Sequence, residues 1–199
     1  MVFDSGIGGT TVLEHIKQSI PNAQYSYFMD NALLPYGAQS QQTIINRLCS
    51  LIHFIKANTL NVDLIVIACN TASTSALSAV RQITDIPIVG VVPAIKPAAE
   101  LTRSNHIGLL ATPATVASPY TKKLIAEHAR NVIVNLYSSV ELVTLAEQYF
   151  FTESLDINKL HQVLDDLHID KTIDVLVLGC THFPILAEPI SQYFEGKVK

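Results

Sequence analysis

The stretch Val62-Asp63-Leu64-Ile65-Val66-Ile67-Ala68-Cys69-Asn70-Thr71 reads as a buried strand that ends on a cysteine. The stretch Ile173-Asp174-Val175-Leu176-Val177-Leu178-Gly179-Cys180-Thr181-His182 repeats it 111 residues later, counted from thiol to thiol. Each copy has an Asp six residues before the Cys, an unbroken aliphatic run, and a small residue before the thiol. A short apolar run without alternation is the pattern of a strand covered on both faces, as in a parallel sheet. Polar or hydroxyl side chains follow the thiol in both copies, so each strand end meets solvent or a ligand. Self-similarity at this period predicts a duplicated half, each copy delivering one cysteine to a shared cleft.

The flanking segments fit that frame. Val2-Phe3 starts a strand that ends on Asp4-Ser5-Gly6-Ile7-Gly8-Gly9-Thr10-Thr11, before a helical run from Val12 to Lys17. Residues 24–29 alternate as a second strand, and 30–39, with Leu34-Pro35-Tyr36-Gly37, form a loop too apolar for simple exposure. Ser40 caps a helix whose stripe is Ile44, Ile45, Leu48, Cys49, Ile52 and Ile55, which accounts for Cys49 as core. A helix over 72–83, a strand at 88–91 and a helix opening at Val92-Pro93-Ala94 follow. A strand at 106–110 then leads to Ala111-Thr112-Pro113, which stands where Asp4-Ser5-Gly6 stood in the first half; Thr112 is 107 residues after Ser5. A strand at 132–136, helices at 141–150 and 156–167, the Cys180 strand and a final helix started by Pro184 complete the order. Alternating strands and helices with short connections give an α/β fold, two similar doubly wound parallel-sheet lobes related by a pseudo-twofold duplication. The lobes are expected at 1–92 and 93–199, with the site in the cleft between them.

Composition removes several function classes. The chain has 199 residues, 49% hydrophobic and 15% charged, with net charge −4. Such a chain has ample apolar side chains for real cores, and its electrostatics are poor for nucleic acid. The apolar runs are far below the ~20 residues a membrane span needs, and the start carries no basic, apolar leader pattern. Three cysteines without CxxC spacing fit a reducing compartment, so the expected location is the cytoplasm.

The candidate chemistry sits at strand ends, where open α/β sheets place their ligands. Asp4-Ser5 is an acid and a hydroxyl at such an end, although either could simply cap the following helix. Cys69 and Cys180 have the alternative reading of core thiols, which the repeated polar context after each one weakens. Cys180 with His182 makes a poor metal site because the further Cys/His ligands are missing, and no metal is expected. His182 has the alternative of a helix cap, and the remaining histidines read as surface residues in helical or turn surroundings.

With these motifs placed, the chain resembles the glutamate racemases of the cofactor-independent aspartate/glutamate racemase superfamily over essentially its full length. The resemblance rests on Phe3-Asp4-Ser5-Gly6-Ile7-Gly8-Gly9, Pro35-Tyr36-Gly37, Ala68-Cys69-Asn70-Thr71-Ala72-Ser73, Gly90-Val91-Val92-Pro93-Ala94, Leu110-Ala111-Thr112-Pro113-Ala114-Thr115 and Gly179-Cys180-Thr181-His182-Phe183-Pro184. It implies that Cys69 and Cys180 are the two acid/base residues, assisted by Asp4, Glu147 and His182. It implies substrate contacts from Asp4, Ser5, Pro35, Tyr36, Gly37, Asn70, Thr71, Thr181 and His182, to which Thr112 is added as a hydroxyl at the matching turn. No cofactor is implied, and no lysine is flanked by anything like a pyridoxal site. The expected partner is glutamate as a small-molecule substrate, and the assembly stays open between a monomer and the homodimer common in the family. Family members usually continue past the position of Lys199 with a strand and helix that return to the first lobe, so an edge element is expected to be missing here.

Two opposed groups suit racemisation, which removes the α-proton on one face and returns one on the other. A thiol with an ordinary pKa of ~8.5 can serve as either acid or base. The alternatives are an aspartate racemase or related enzyme, and a protein that binds glutamate without turnover.

Overall fold

The computed structural model describes residues 1–199. The first sheet takes β1 (Val2–Asp4), β2 (Tyr27–Met29), β3 (Ile65–Ile67) and β4 (Ile88–Gly90), all parallel, in the order β2-β1-β3-β4. Helices α1 (Gly9–Ser19), α2 (Gln41–Ala57) and α3 (Asn70–Arg81) connect them. After α4 (Ile95–Leu101), the second sheet takes β5 (His106–Ala111), β6 (Ile133–Ser138) and β7 (Val175–Leu178), also parallel, in the order β6-β5-β7. Its helices are α5 (Pro113–Ala117), α6 (Pro119–His128), α7 (Glu141–Thr152), α8 (Ile157–Asp166) and α9 (Ala187–Tyr193).

In each sheet the first strand is flanked by the next on one side and by the cysteine strand on the other. The direction of winding therefore reverses between β1 and β3, and again between β5 and β7, which is where such sheets leave a crevice. Register makes the duplication concrete. Phe3 stands opposite Ile67, so counting on by two sets Ser5 opposite Cys69. Leu110 stands opposite Leu178, and the same count sets Thr112 opposite Cys180. The pairing hydrogen bonds repeat as well, Ala68 N to the Phe3 carbonyl at 2.8 Å and Gly179 N to the Leu110 carbonyl at 2.7 Å.

One core joins Phe3, Ile65, Ile67 and Ile88 to the α2 stripe of Ile44, Leu48, Ile52 and Ile55 and to the small α3 residues Ala72 and Ala76. Another joins Leu110 and Leu176 to Leu142, Ala146, Leu160, Leu164 and Phe183. Each fully buried Ile or Leu contributes ~1.5–3 kcal/mol from apolar area removed from water, which is why these runs set the layers. A further cluster, Ile95, Ala98, Ile107, Leu109 and Val177, ties α4 to the second sheet.

Several local readings shift. Cys49 is only half-buried, on the flank of the α2 stripe. The helix after Cys69 begins at Asn70, two residues earlier than periodicity indicates, because the thiol itself caps it by accepting from Ala72 N at 3.4 Å. Where one final helix was expected, a 3-10 turn (Phe183–Leu186) precedes α9. His106 is no simple surface residue. It opens β5, the central strand of its sheet; its Nδ1 lies 2.6 Å from the Thr172 hydroxyl, and its Nε2 is buried without a partner. Lys199 lies along the outer edge of β7, its amide bonded to the Asp174 carbonyl at 3.0 Å and its carbonyl to Leu176 N at 2.8 Å. No helix is long and apolar enough to cross a membrane.

Candidate active site

The carboxyl ends of β1, β3, β5 and β7 converge, and each brings a different kind of group. Asp4 ends β1 and is fully buried. Its Oδ1 accepts the Gly6 amide at 2.9 Å and its Oδ2 accepts the Thr181 hydroxyl at 3.0 Å, a bond from one lobe to the other. Burial pushes its pKa up to about 6, against the opposing pull of His182 and of these donors.

Cys69 stands at the start of α3, 4% exposed, with the Ser5 hydroxyl 3.7 Å from its sulfur. Burial pushes this thiol up to about 12, and the Asp4 carboxylate adds to the shift. Cys180 is 7% exposed, its sulfur 3.8 Å from His182 Nδ1. Burial likewise drives its pKa well above the ordinary thiol range, and Cys69 is near enough to push it further. Both groups are therefore held as thiols near neutral pH until something in the cleft favours the thiolate.

His182 is almost solvent-free; it stands at the N-cap position of the 3-10 turn, but its side chain makes no capping hydrogen bond, and its Nε2 lies 2.7 Å from Glu147 Oε1. The same carboxylate oxygen accepts the Ile7 amide at 2.9 Å, again across the lobes. Burial pushes Glu147 up, but the His182 hydrogen bond and the Ile7 amide outweigh it and hold the pKa below the usual glutamate value. An ionised carboxylate can only accept, so Nε2 carries a proton, which leaves Nδ1 as the ring nitrogen that faces the Cys180 sulfur.

The remaining expected site residues gather around these. Thr71 of α3 lies 2.8 Å from the Thr112 hydroxyl and 3.1 Å from that of Thr115, forming a buried hydroxyl triad across the cleft. Asn70 is buried and its side-chain amide reaches the Val91 carbonyl only at 3.5 Å. After Pro35, Tyr36 and Gly37 turn inward and are buried; the Tyr36 ring meets Phe3 at 6.2 Å. A Cβ at Gly37 would collide with the Thr112 side chain, and one at Gly8 would come within 2.7 Å of the His182 backbone nitrogen. Only glycine lets the two lobes approach this closely. Candidates from all the motifs thus meet in one region.

Sequence reasoning missed four supporting groups. Tyr27 donates to the Gly6 carbonyl at 2.6 Å and steadies the glycine turn, Thr115 completes the hydroxyl triad, and Ser118 donates to the Thr74 carbonyl at 3.1 Å across the lobes. Arg47 pairs with Asp30 behind the Tyr36 loop. Thr115 closes the Leu110–Thr115 motif, so its hydroxyl three residues after Thr112 was a signal, and for Tyr27 the signal was a polar aromatic on the strand beside the glycine turn; Ser118 and Arg47 lie in no motif.

The sequence and the fold have counterparts among known proteins. The model of the family described as Asp/Glu/Hydantoin racemase matches residues 9–199. A glutamate racemase of Shewanella frigidimarina (strain NCIMB 400) is 51% identical over 193 residues, 97% of this chain and 74% of the relative. The crystal structure of Escherichia coli glutamate racemase in complex with L-glutamate and the activator UDP-MurNAc-ala superposes with a TM-score of 0.91 at 42% identity, covering 99% of this chain and 75% of that one. That of Francisella tularensis subsp. tularensis SCHU S4 in complex with D-glutamate gives 0.79 at 34% identity, covering 100% and 73%. With two thiols set in register at the ends of duplicated parallel sheets, and with this extent of identity, the chain belongs to the Asp/Glu/Hydantoin racemase family.

Proposed function

We propose that this protein interconverts L- and D-glutamate by proton transfer between two thiols, with the lobes at 1–92 and 93–199 closing on the substrate. One observation carries the reading: two cysteines occupy equivalent register positions at the two switch points, each backed by a different carboxylate device. One thiolate takes the α-proton from its face of the substrate, and the opposite thiol gives its own proton to the other face. The chirality is inverted, and the thiol and thiolate have exchanged places, so no net proton is consumed. The reverse reaction starts from that exchanged state.

The surroundings assign the other tasks. Asp4, ionised at neutral pH, receives the substrate ammonium, whose positive charge also favours a thiolate beside it. The amides at the start of α3 and hydroxyls of Thr71, Thr112 and Thr181 meet the carboxylates. His182, oriented by Glu147, accepts and returns the Cys180 proton. Tyr36 and Gly37 exclude water from the Cys69 side. The product D-glutamate suits peptidoglycan synthesis in a bacterial cytoplasm.

In deuterated water, the protein should bring either glutamate enantiomer to the racemate while deuterium enters the α-position, followed by proton NMR and chiral chromatography. Aspartate run in parallel tests the side-chain length. Racemisation of aspartate but not glutamate would move the assignment to the shorter acid, and no exchange with either would leave a binding protein.

A further inference from the structure

The group that fixes the Tyr36–Gly37 segment lies outside the site. Asp30 follows β2, and its backbone amide donates to the carbonyl of Asp4 at 3.0 Å, so it is anchored beside the acid that ends β1. Its side chain is 5% exposed, and three donors fill it. Arg47 of α2 donates through Nε to Oδ2 at 2.8 Å and through Nη2 to Oδ1 at 2.5 Å, and the Tyr36 hydroxyl donates to Oδ2 at 2.7 Å. A guanidinium fork fixes the plane of a carboxylate as well as its position, which a single charge would not. The Tyr36 hydroxyl is thereby held at one point, its ring stays against Phe3, and Gly37 stays seated on Thr112 of the other lobe. Tyr36 and Cys69 belong to the same buried cluster.

We propose that Asp30 and Arg47 are positioning residues, a clamp that holds Tyr36 and Gly37 in the conformation that closes the Cys69 side of the site. Arg47 is 44% exposed while the Asp30 side chain is 5% exposed, so the guanidinium reaches in from the surface to compensate a buried charge, a role that is structural as well as positional. What the pair does secure is a buried carboxylate whose third acceptor bond goes to a loop residue of the site. The kinetic part of this inference rests on the proposed racemase activity; the placement of the loop does not.

The test uses the full chain with Arg47→Gln and, as the milder change, Arg47→Lys, which keeps the charge and loses the fork. Iodoacetamide labelling, followed residue by residue by mass spectrometry, should alkylate Cys69 roughly tenfold faster in Arg47→Gln. Cys49, two residues along α2 from Arg47, should be unchanged. Added guanidinium ion should slow Cys69 labelling again in an Arg47→Ala variant. If glutamate is turned over, KM should rise about tenfold with kcat within about threefold, the pattern of lost uniform binding. Equal acceleration at Cys49 and Cys69 would mean general loosening of the lobe and would overturn the clamp, as would unchanged Cys69 labelling in both variants. Absence of glutamate turnover in the unmodified protein would sink the activity instead, and the labelling contrast would still decide the clamp.

Discussion

The Cys69 and Cys180 corners start from nearly the same sequence and end with different chemistry. Cys69 caps a 12-residue helix and has a hydroxyl, Ser5, and a carboxylate, Asp4, for company. Cys180 precedes a 3-10 turn and faces an imidazole that is held by Glu147. The two carboxylates are perturbed in opposite directions, Asp4 upward by burial and Glu147 downward by its hydrogen bonds. Each is also bonded to the opposite lobe, Asp4 to Thr181 and Glu147 to Ile7. Duplication thus placed two equivalent thiols, and divergence of the neighbours set a carboxylate and a hydroxyl beside one and an imidazole held by a carboxylate beside the other. A two-sided reaction requires the thiols to be equivalent in position only.

The largest effect expected from this contrast is on the thiols themselves. Cys69→Ser and Cys180→Ser should each lower racemisation by at least ~10³-fold, because one face then lacks a competent acid or base. Each variant should still exchange the α-proton of the enantiomer that faces its surviving thiol, so the two variants must show opposite preferences in deuterium incorporation. Normal racemisation by either one would break the comparison.

Next come the carboxylates, whose opposite shifts predict opposite effects on stability. A raised native pKa gives Asp4 a contribution that is complete below its unfolded value of 3.8 and is lost as pH rises through about 6. Asp4→Asn should therefore be more stable than the unmodified protein at pH 8, by an order-of-magnitude ~3 kcal/mol for a shift of about two pKa units, with the advantage fading toward pH 4. Glu147 has the reverse sign. Its lowered pKa stabilises above the unfolded value of 4.5 and is lost as pH falls below it, so Glu147→Gln should be less stable at pH 8 and approach the parent at low pH. Urea unfolding at pH 4, 6 and 8 reads both, and two variants moving in the same direction would refute the contrast.

The smallest effect belongs to what the corners share. Thr115→Val removes one hydroxyl from the buried triad with little change in volume, at a cost of roughly 1 kcal/mol. Thermal unfolding should drop by a few degrees, equally at pH 6 and pH 8, since no titrating group is touched. A pH-dependent loss would tie the triad to one of the carboxylates.

The sequence by itself determined the layers and the pair of thiols. Unbroken runs such as 65–67 and 175–178 read as strands covered on both faces, and their repetition with a terminal cysteine marks two equivalent strand ends. Tertiary structure decided everything that depends on partners far apart in the chain. Ile7 and Glu147 are 140 residues apart and Asp4 and Thr181 are 177 apart, yet both pairs are hydrogen-bonded because strand order brings β1 and the end of β7 to one cleft. The same holds for Asp30 with Arg47, where an acid after a strand and an arginine on a helix look like ordinary surface charges until the fold buries one of them. Periodicity records how often a chain must hide apolar area, which is a local demand. Which polar group lies within 3 Å of which other, and hence which pKa rises and which falls, is settled only when the sheets have wound and the lobes have met.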